Sequence, residues 1–169
     1  MERSNLYKLF AALFADEPSG ELIDQVREIF HLQTQDTAEE IVFDFTALFL
    51  GPGKHLPPYE SVYNYPIGEI SRLWGRATEE VQAFYLSVGL AIDEEVNLIP
   101  DHLSAELLFM AWLIDNGLEE QEERFLVEHL LKWVPEYCDQ VRSRAQTGFY
   151  RDVADLLKEF ILSEYEEIS

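Results

Sequence analysis

Apolar side chains recur at three- and four-residue spacing along almost the whole chain. Leu6, Phe10, Leu13 and Phe14 fall on one stripe, which predicts a first helix ended by the break at 16–20. Leu22, Val26, Ile29 and Phe30 repeat the pattern. Asp36, followed three residues later by Glu39, reads as a capping box that opens a third helix with Ile41, Phe45, Leu48 and Phe49 facing inward. After Leu50 the periodicity stops. Positions 51–68 hold four of the seven prolines and three of the eight glycines. Proline fixes φ and lacks a donor, so no continuous helix crosses this stretch.

Beyond the loop, Ile70, Leu73 and Trp74 suggest a short helix. Thr78 is placed to cap a longer one through Val81, Phe84, Tyr85 and Val88, closing near Gly89. A second break runs from Asp93 to Pro100. Asp101 then occupies the N-cap position of the clearest helix, with Leu103, Leu107, Met110, Ala111 and Ile114 on its stripe and Asn116-Gly117 at its end. Three more helices are expected: about 118–133, about 135–146 beginning at Pro135, and 149–165. No segment alternates as a strand does, and no repeat is visible. The expectation is one all-α domain over 1–169, with eight or nine helices around a single core. The long Pro-rich aromatic loop divides it into N-terminal and C-terminal halves.

Composition narrows what such a domain does. The chain has 169 residues and a net charge of −21, but 47% of it is hydrophobic, which excludes a disordered acidic tail. Phosphate binding needs clustered Lys and Arg, so a nucleic-acid partner is disfavoured, and so is an anionic membrane surface. A single cysteine, Cys138, forms neither an intramolecular disulfide nor a cysteine metal site. The first residues are charged where an export signal needs an apolar core, and no apolar run is long enough to span a bilayer. A soluble cytoplasmic protein without stable membrane insertion is expected.

Candidate chemistry is sparse. Gly51-Pro52-Gly53-Lys54 lacks the spacing of a phosphate loop and follows a helix rather than a strand. His102 and Glu106, four apart on one helix face, have the spacing of two metal ligands, but His31, His55 and His129 supply no partner spacing. No nucleophile elbow or paired nucleophile and base is present, so no enzyme and no cofactor is expected. The acidic run 119–123 and Glu164, Glu166 and Glu167 read as solvated helix faces, and Trp74, Trp112 and Trp133 as core.

Two segments stand out together: Pro57-Pro58-Tyr59-Glu60-Ser61-Val62-Tyr63, and Pro100-Asp101-His102 continuing to Glu106-Leu107 and Met110. With them the sequence resembles the TorD/DmsD/NarJ-type redox-enzyme maturation chaperones. Their hallmarks are a Pro-Pro-aromatic-x-Ser-Val-aromatic loop and a Pro-x-Asp-His-x-x-x-Glu-Leu-x-x-Met helix start. Ile99 stands where the family often has an acidic residue, and both loop aromatics are Tyr. The resemblance is strong over about 45–115.

It implies an all-helical cytoplasmic chaperone whose partner is the twin-arginine signal peptide, or the apo form, of a molybdopterin oxidoreductase. Tyr59 and Tyr63, stiffened by Pro57-Pro58, are then expected to offer aromatic surface to the peptide, and Asp101 with Glu106 to meet its basic residues, His102 completing the peptide-binding set. The alternative for Asp101 is a plain helix cap, with His102 and Glu106 tying that end to the loop. Two other functions stay open, an acidic adaptor for another basic partner and a metal-dependent enzyme using His102 and Glu106. A monomer and a dimer swapped through the long loop are both compatible with the sequence.

Overall fold

The computed structural model describes residues 2–91 and 98–168; most of the second break, at 92–97, lies outside them. The helices are α1 (Arg3–Ala15), α2 (Gly20–Phe30), α3 (Ala38–Phe45), α4 (Glu60–Tyr63), α5 (Arg76–Ser87), α6 (Leu103–Asp115), α7 (Glu119–Phe125), α8 (Leu131–Arg144) and α9 (Gly148–Ile168). A π turn, Thr46–Leu50, prolongs α3, and a second, Leu126–Leu130, fuses α7 to α8. The described residues thus form eight continuous helices with no strand, and the all-α expectation holds.

Local chemistry explains most boundaries. Ser19 caps α2 by accepting from the Leu22 amide at 3.2 Å, and His31, in the left-handed region (φ 54°), closes it. The capping box of α3 is present but one residue later than Asp36–Glu39. Thr37 and Glu40 exchange backbone and side-chain bonds at 2.7 and 3.2 Å. Asp36 is diverted because its Oδ2 accepts from the Phe149 amide at 2.9 Å, at the start of α9. A tertiary partner outcompetes the local one.

Four other expectations are corrected. No helix forms at 70–74; Gly68 (φ 93°) and Trp74 itself (φ 58°) adopt left-handed backbone there. Ile70 is 84% exposed and Trp74 59%, so Trp74 is not a core residue. Thr78 does not cap α5, which opens at Gly75 and carries Thr78 buried in its first turn. A Cβ at Gly75 would come within 3.3 Å of the Arg72 carbonyl and the Ser61 side chain, so glycine suits this close approach. Pro135 does not begin a helix but sits inside α8, where Trp133, Val134 and Tyr137 bury against the core and hold the axis through the missing bond.

The core is one continuous cluster rich in aromatics, among them Tyr7, Phe10, Phe14, Phe45, Trp133, Tyr137, Phe149 and Tyr150. Within it α1 packs along α6, and α8 along α9. Two acids expected in solvent are instead buried: Glu122 and Glu164. Arg3 bridges them, its Nε and Nη2 donating to Glu164 at 3.0 and 2.6 Å and its Nη2 also to Glu122, while Tyr7 Oη donates to Glu164 at 3.2 Å. Among the described residues no helix is long and apolar enough to cross a membrane.

Candidate functional site

The two segments singled out in the sequence meet in space. Leu103 donates its amide to the Pro58 carbonyl at 2.8 Å, and Glu60 its amide to the Asp101 carbonyl at 3.0 Å. Tyr59 and His102 form an isolated antiparallel bridge between them. The stiff Pro57-Pro58 step keeps the loop extended for this pairing. Pro57 is half-buried and Pro58 buried.

Asp101 does not cap α6. Its Oδ2 accepts from the Ser61 amide at 2.8 Å, so it caps the four-residue α4 across 40 positions of sequence. His102 caps α6 instead, its Nδ1 accepting from the Ser104 amide at 3.1 Å. That role needs a neutral ring. Burial supplies it by lowering the His102 pKa to about 4 against the opposing pull of Asp101.

Behind this pairing lies a buried polar cluster. Glu60, fully buried, pairs its Oε2 with Nδ1 of buried His129 at 2.9 Å and accepts from Asn64 Nδ2 at 2.6 Å. Glu106, also fully buried, accepts from Trp133 Nε1 at 3.2 Å. Burial, then the neighbouring Glu60 and Asp101 charges, pushes the Glu106 carboxyl well above its ordinary range and favours the protonated acid. Tyr63 stacks on Trp133 with centroids 5.7 Å apart and meets Tyr137 edge-on at 5.1 Å. Its hydroxyl, Ser61 Oγ and Asp101 Oδ1 are buried without hydrogen-bond partners.

The site residues therefore divide. Asp101 and Glu106 have no exposed surface, and Tyr63 is wedged against the core face of α8. Tyr59 and His102 are half-buried, their rings edge-to-face at 4.9 Å, and form the outer lip of the junction. His102 and Glu106 are not brought together as ligands, since one bonds Ser104 and the other Trp133.

Outside the junction the surface turns apolar. Tyr85, whose hydroxyl donates to the Pro100 carbonyl at 2.8 Å, stands at the edge of a groove of about 260 Å³. Leu90, Leu98, Ala105, Leu108, Phe109 and Trp112 line it. On α6, Ala105, Phe109 and Trp112 continue the stripe that starts at His102. Leu108 is 50% exposed on the rim. The loop after α4 adds exposed Tyr65, Ile67, Ile70, Leu73 and Trp74.

A family model described as nitrate reductase delta subunit matches residues 14–139. The chain belongs to the TorD/DmsD/NarJ-type redox-enzyme maturation chaperones. It is 31% identical over 142 residues to chaperone protein TorD of Vibrio parahaemolyticus serotype O3:K6 (strain RIMD 2210633), covering 76% of this chain and 65% of that protein. It is 31% identical over 112 residues to the Tat proofreading chaperone DmsD of Salmonella typhi, covering 66% and 53%. The matches thus take in about two thirds and about half of these relatives' lengths. A crystal structure of a redox enzyme maturation protein from Archaeoglobus fulgidus superposes with a TM-score of 0.66 at 22% identity, covering 95% of this chain and 94% of that one, and shares the fold.

Within this maturation-chaperone chain, sequence reasoning missed Glu60, His129 and Trp133 as members of the junction. Glu60 lies inside the Pro-Pro-Tyr loop motif, where its adjacent tyrosines are the stronger local signal. His129 is 69 residues away from its partner, and no spacing rule reaches that far.

Proposed function

We propose that the protein is a cytoplasmic chaperone for a molybdenum-cofactor oxidoreductase, holding the client's twin-arginine signal peptide or its apo form until the cofactor is in place. The α5–α6 groove carries this reading. An exposed apolar surface marks a protein-binding site, and this one lies along α6, the helix that His102 caps. An apolar helical stretch laid against α6 would bury Leu108 and cover Trp112, in the helix-in-groove mode. Tyr59 and His102 would touch the peptide directly. Pro57, Pro58, Tyr63, Asp101 and Glu106 would act by holding that lip in place, because the last two are buried where a basic side chain does not reach. The family resemblance supplies the client class, and the Tat proofreading and redox enzyme maturation named in its relatives agree with it.

Calorimetry with a synthetic twin-arginine signal peptide tests the reading. Leu108→Glu places a charge on the groove rim at a half-exposed position, so the fold survives while affinity drops by roughly tenfold or more, about 1.4 kcal/mol or above. Unchanged affinity in that variant would remove the groove from the function.

A further inference from the structure

The buried Glu60–His129 pair opens outward on a face that the proposed function does not use. Glu60 is held by two side chains, His129 at one oxygen and Asn64 at the other. Each of these also lines a surface cavity between α5 and the α7–α8 helix, of about 550 Å³ at His129 and about 280 Å³ at Asn64. The two cavities share Glu80, Glu128 and Lys132 in their walls. His129 sits in the π turn, with its ring stacked on Phe125 at 4.7 Å and edge-on to Phe84 at 5.9 Å. Single π turns recur at functional sites. Nδ1 is committed to Glu60, so Nε2 is the one polar atom of this buried side chain that is left for the cavity.

The wall around Nε2 has its acids already paired. Glu80 accepts from Arg76 Nε at 2.6 Å and Glu128 from Arg124 Nε at 3.2 Å, while the Arg124 guanidinium lies 5.2 Å from the Phe84 ring centroid. Lys132 has no hydrogen-bond or ion-pair partner among the described residues, in a chain with 33 Asp and Glu to 12 Lys and Arg. The uncompensated charge in the wall is therefore positive. Beside an ionised Glu60, which only accepts, Nδ1 donates and the Nε2 of a neutral ring is an acceptor. The cavity thus offers a cation and a hydrogen-bond acceptor to the same ligand.

We propose that this cavity binds the phosphate group of a small phosphate monoester, with Lys132 and Arg124 on its charged oxygens and His129 Nε2 accepting from its P–OH. Such an ester loses its second proton near pH 6, so its monoanion carries negative charge and a hydroxyl donor on one group. A carboxylate has the charge without the donor, and an alcohol has the donor without the charge. One uncompensated lysine matches one phosphate and not a polyphosphate. The cavity is of small-molecule size and leaves room beside the phosphate for the organic body of the ester. His129, Arg124 and Lys132 all lie on the α7–α8 helix, so the site stands whether or not α6 holds a peptide. A bound phosphate polarises His129 and strengthens its bond to Glu60, which ties occupancy of the cavity to the junction of the two motifs.

The test is calorimetry on the full chain at about pH 6, where the monoanion is well populated, with phenyl phosphate, inorganic phosphate and phenyl sulfate. Phenyl sulfate has the charge and no hydroxyl, and is expected to bind roughly tenfold or more weakly than phenyl phosphate. Tighter binding of phenyl phosphate than of inorganic phosphate identifies an ester as the ligand; equal binding identifies the free ion on the same contacts. Lys132 is exposed, so Lys132→Gln folds, and its affinity for phenyl phosphate should fall roughly tenfold. His129→Gln should lose the preference for phosphate over sulfate, with circular dichroism reporting whether it folds. If it does not fold, the wild-type comparison and Lys132→Gln decide. The proposal is overturned if neither phosphate binds the wild type, if phenyl sulfate binds as tightly as phenyl phosphate, or if Lys132→Gln leaves the affinity unchanged. A folded His129→Gln that keeps the preference overturns it as well.

Discussion

The junction between the Pro-rich loop and α6 contrasts with the α5–α6 groove next to it. In the junction, ionisable groups are inside: Glu60, Asp101, Glu106 and His129 are buried together. In the groove, apolar groups are outside: Leu108, Leu98 and part of Trp112 face solvent. Each inverts the usual rule for where such residues go. The inversion separates two jobs that motif reading merges into one. Buried polar groups fix the arrangement of chain through specific bonds, Asp101 to the Ser61 amide, Glu60 to His129 and Asn64, and Glu106 to Trp133. In the proposed function, exposed apolar groups supply the affinity for the client peptide. The residues that identify the family are thus chiefly buried at the junction, and the exposed groove beside it is built from chemically plainer residues.

The sharpest way to break this comparison is at Asp101. Asp101→Ala leaves the buried Ser61 amide without an acceptor and is expected to cost about 1–3 kcal/mol in urea unfolding. Asp101→Asn keeps an acceptor oxygen and costs less. Peptide affinity should follow stability across the two variants. If Asp101→Asn kept full stability but lost the peptide, Asp101 would be a contact residue and the division of roles would fail.

The pH dependence sharpens the same point. Glu106 has a raised carboxyl pKa in the folded state, so the folded chain holds a proton that the unfolded chain has released. Stability therefore falls as pH rises above the ordinary carboxyl range, by at most about 1.4 kcal/mol per pH unit. His102 works the other way. Its folded pKa of about 4 lies below its unfolded value, so its contribution is complete above about 6.5 and is lost as pH falls toward 4. The His102 effect is common to both chains when wild type is compared with Glu106→Gln, which keeps an acceptor for Trp133 and removes the Glu106 titration. The stability of the variant relative to wild type should climb as pH is raised above the ordinary carboxyl range. A parallel pair of curves would show that Glu106 is not a protonated acid in the folded chain.

The smallest effect is expected at Tyr63. Its hydroxyl is buried without a partner while its ring is stacked on Trp133. Tyr63→Phe keeps the stacking and removes the unpaired group, so thermal unfolding should show no loss, or a gain of under about 1 kcal/mol. A loss of that size or more would mean that the hydroxyl is bonded in solution and that the junction is more fully satisfied than its geometry indicates.

Much of the fold was legible in the chain. The stripes of α1, α2, α3, α6 and α9 face the core as their spacing indicates, and the prolines and glycines of 51–68 break the helical run. The paired motifs placed the protein in its family. These signals are readable because a helix is a local object: its period, its caps and its breakers all lie within a few residues of one another. What tertiary structure decided is where the polar groups go. Asp36 leaves its own helix for α9, and Asp101 leaves α6 for α4. Glu164 is buried because Arg3, 161 residues away in sequence, reaches it, and Glu60 because His129 does. Trp74, large and apolar, stays outside because its backbone turns left-handed at the end of the loop. A carboxylate can be buried only beside a donor or as a neutral acid, and that condition is met by the fold as a whole, between segments that sequence spacing does not connect.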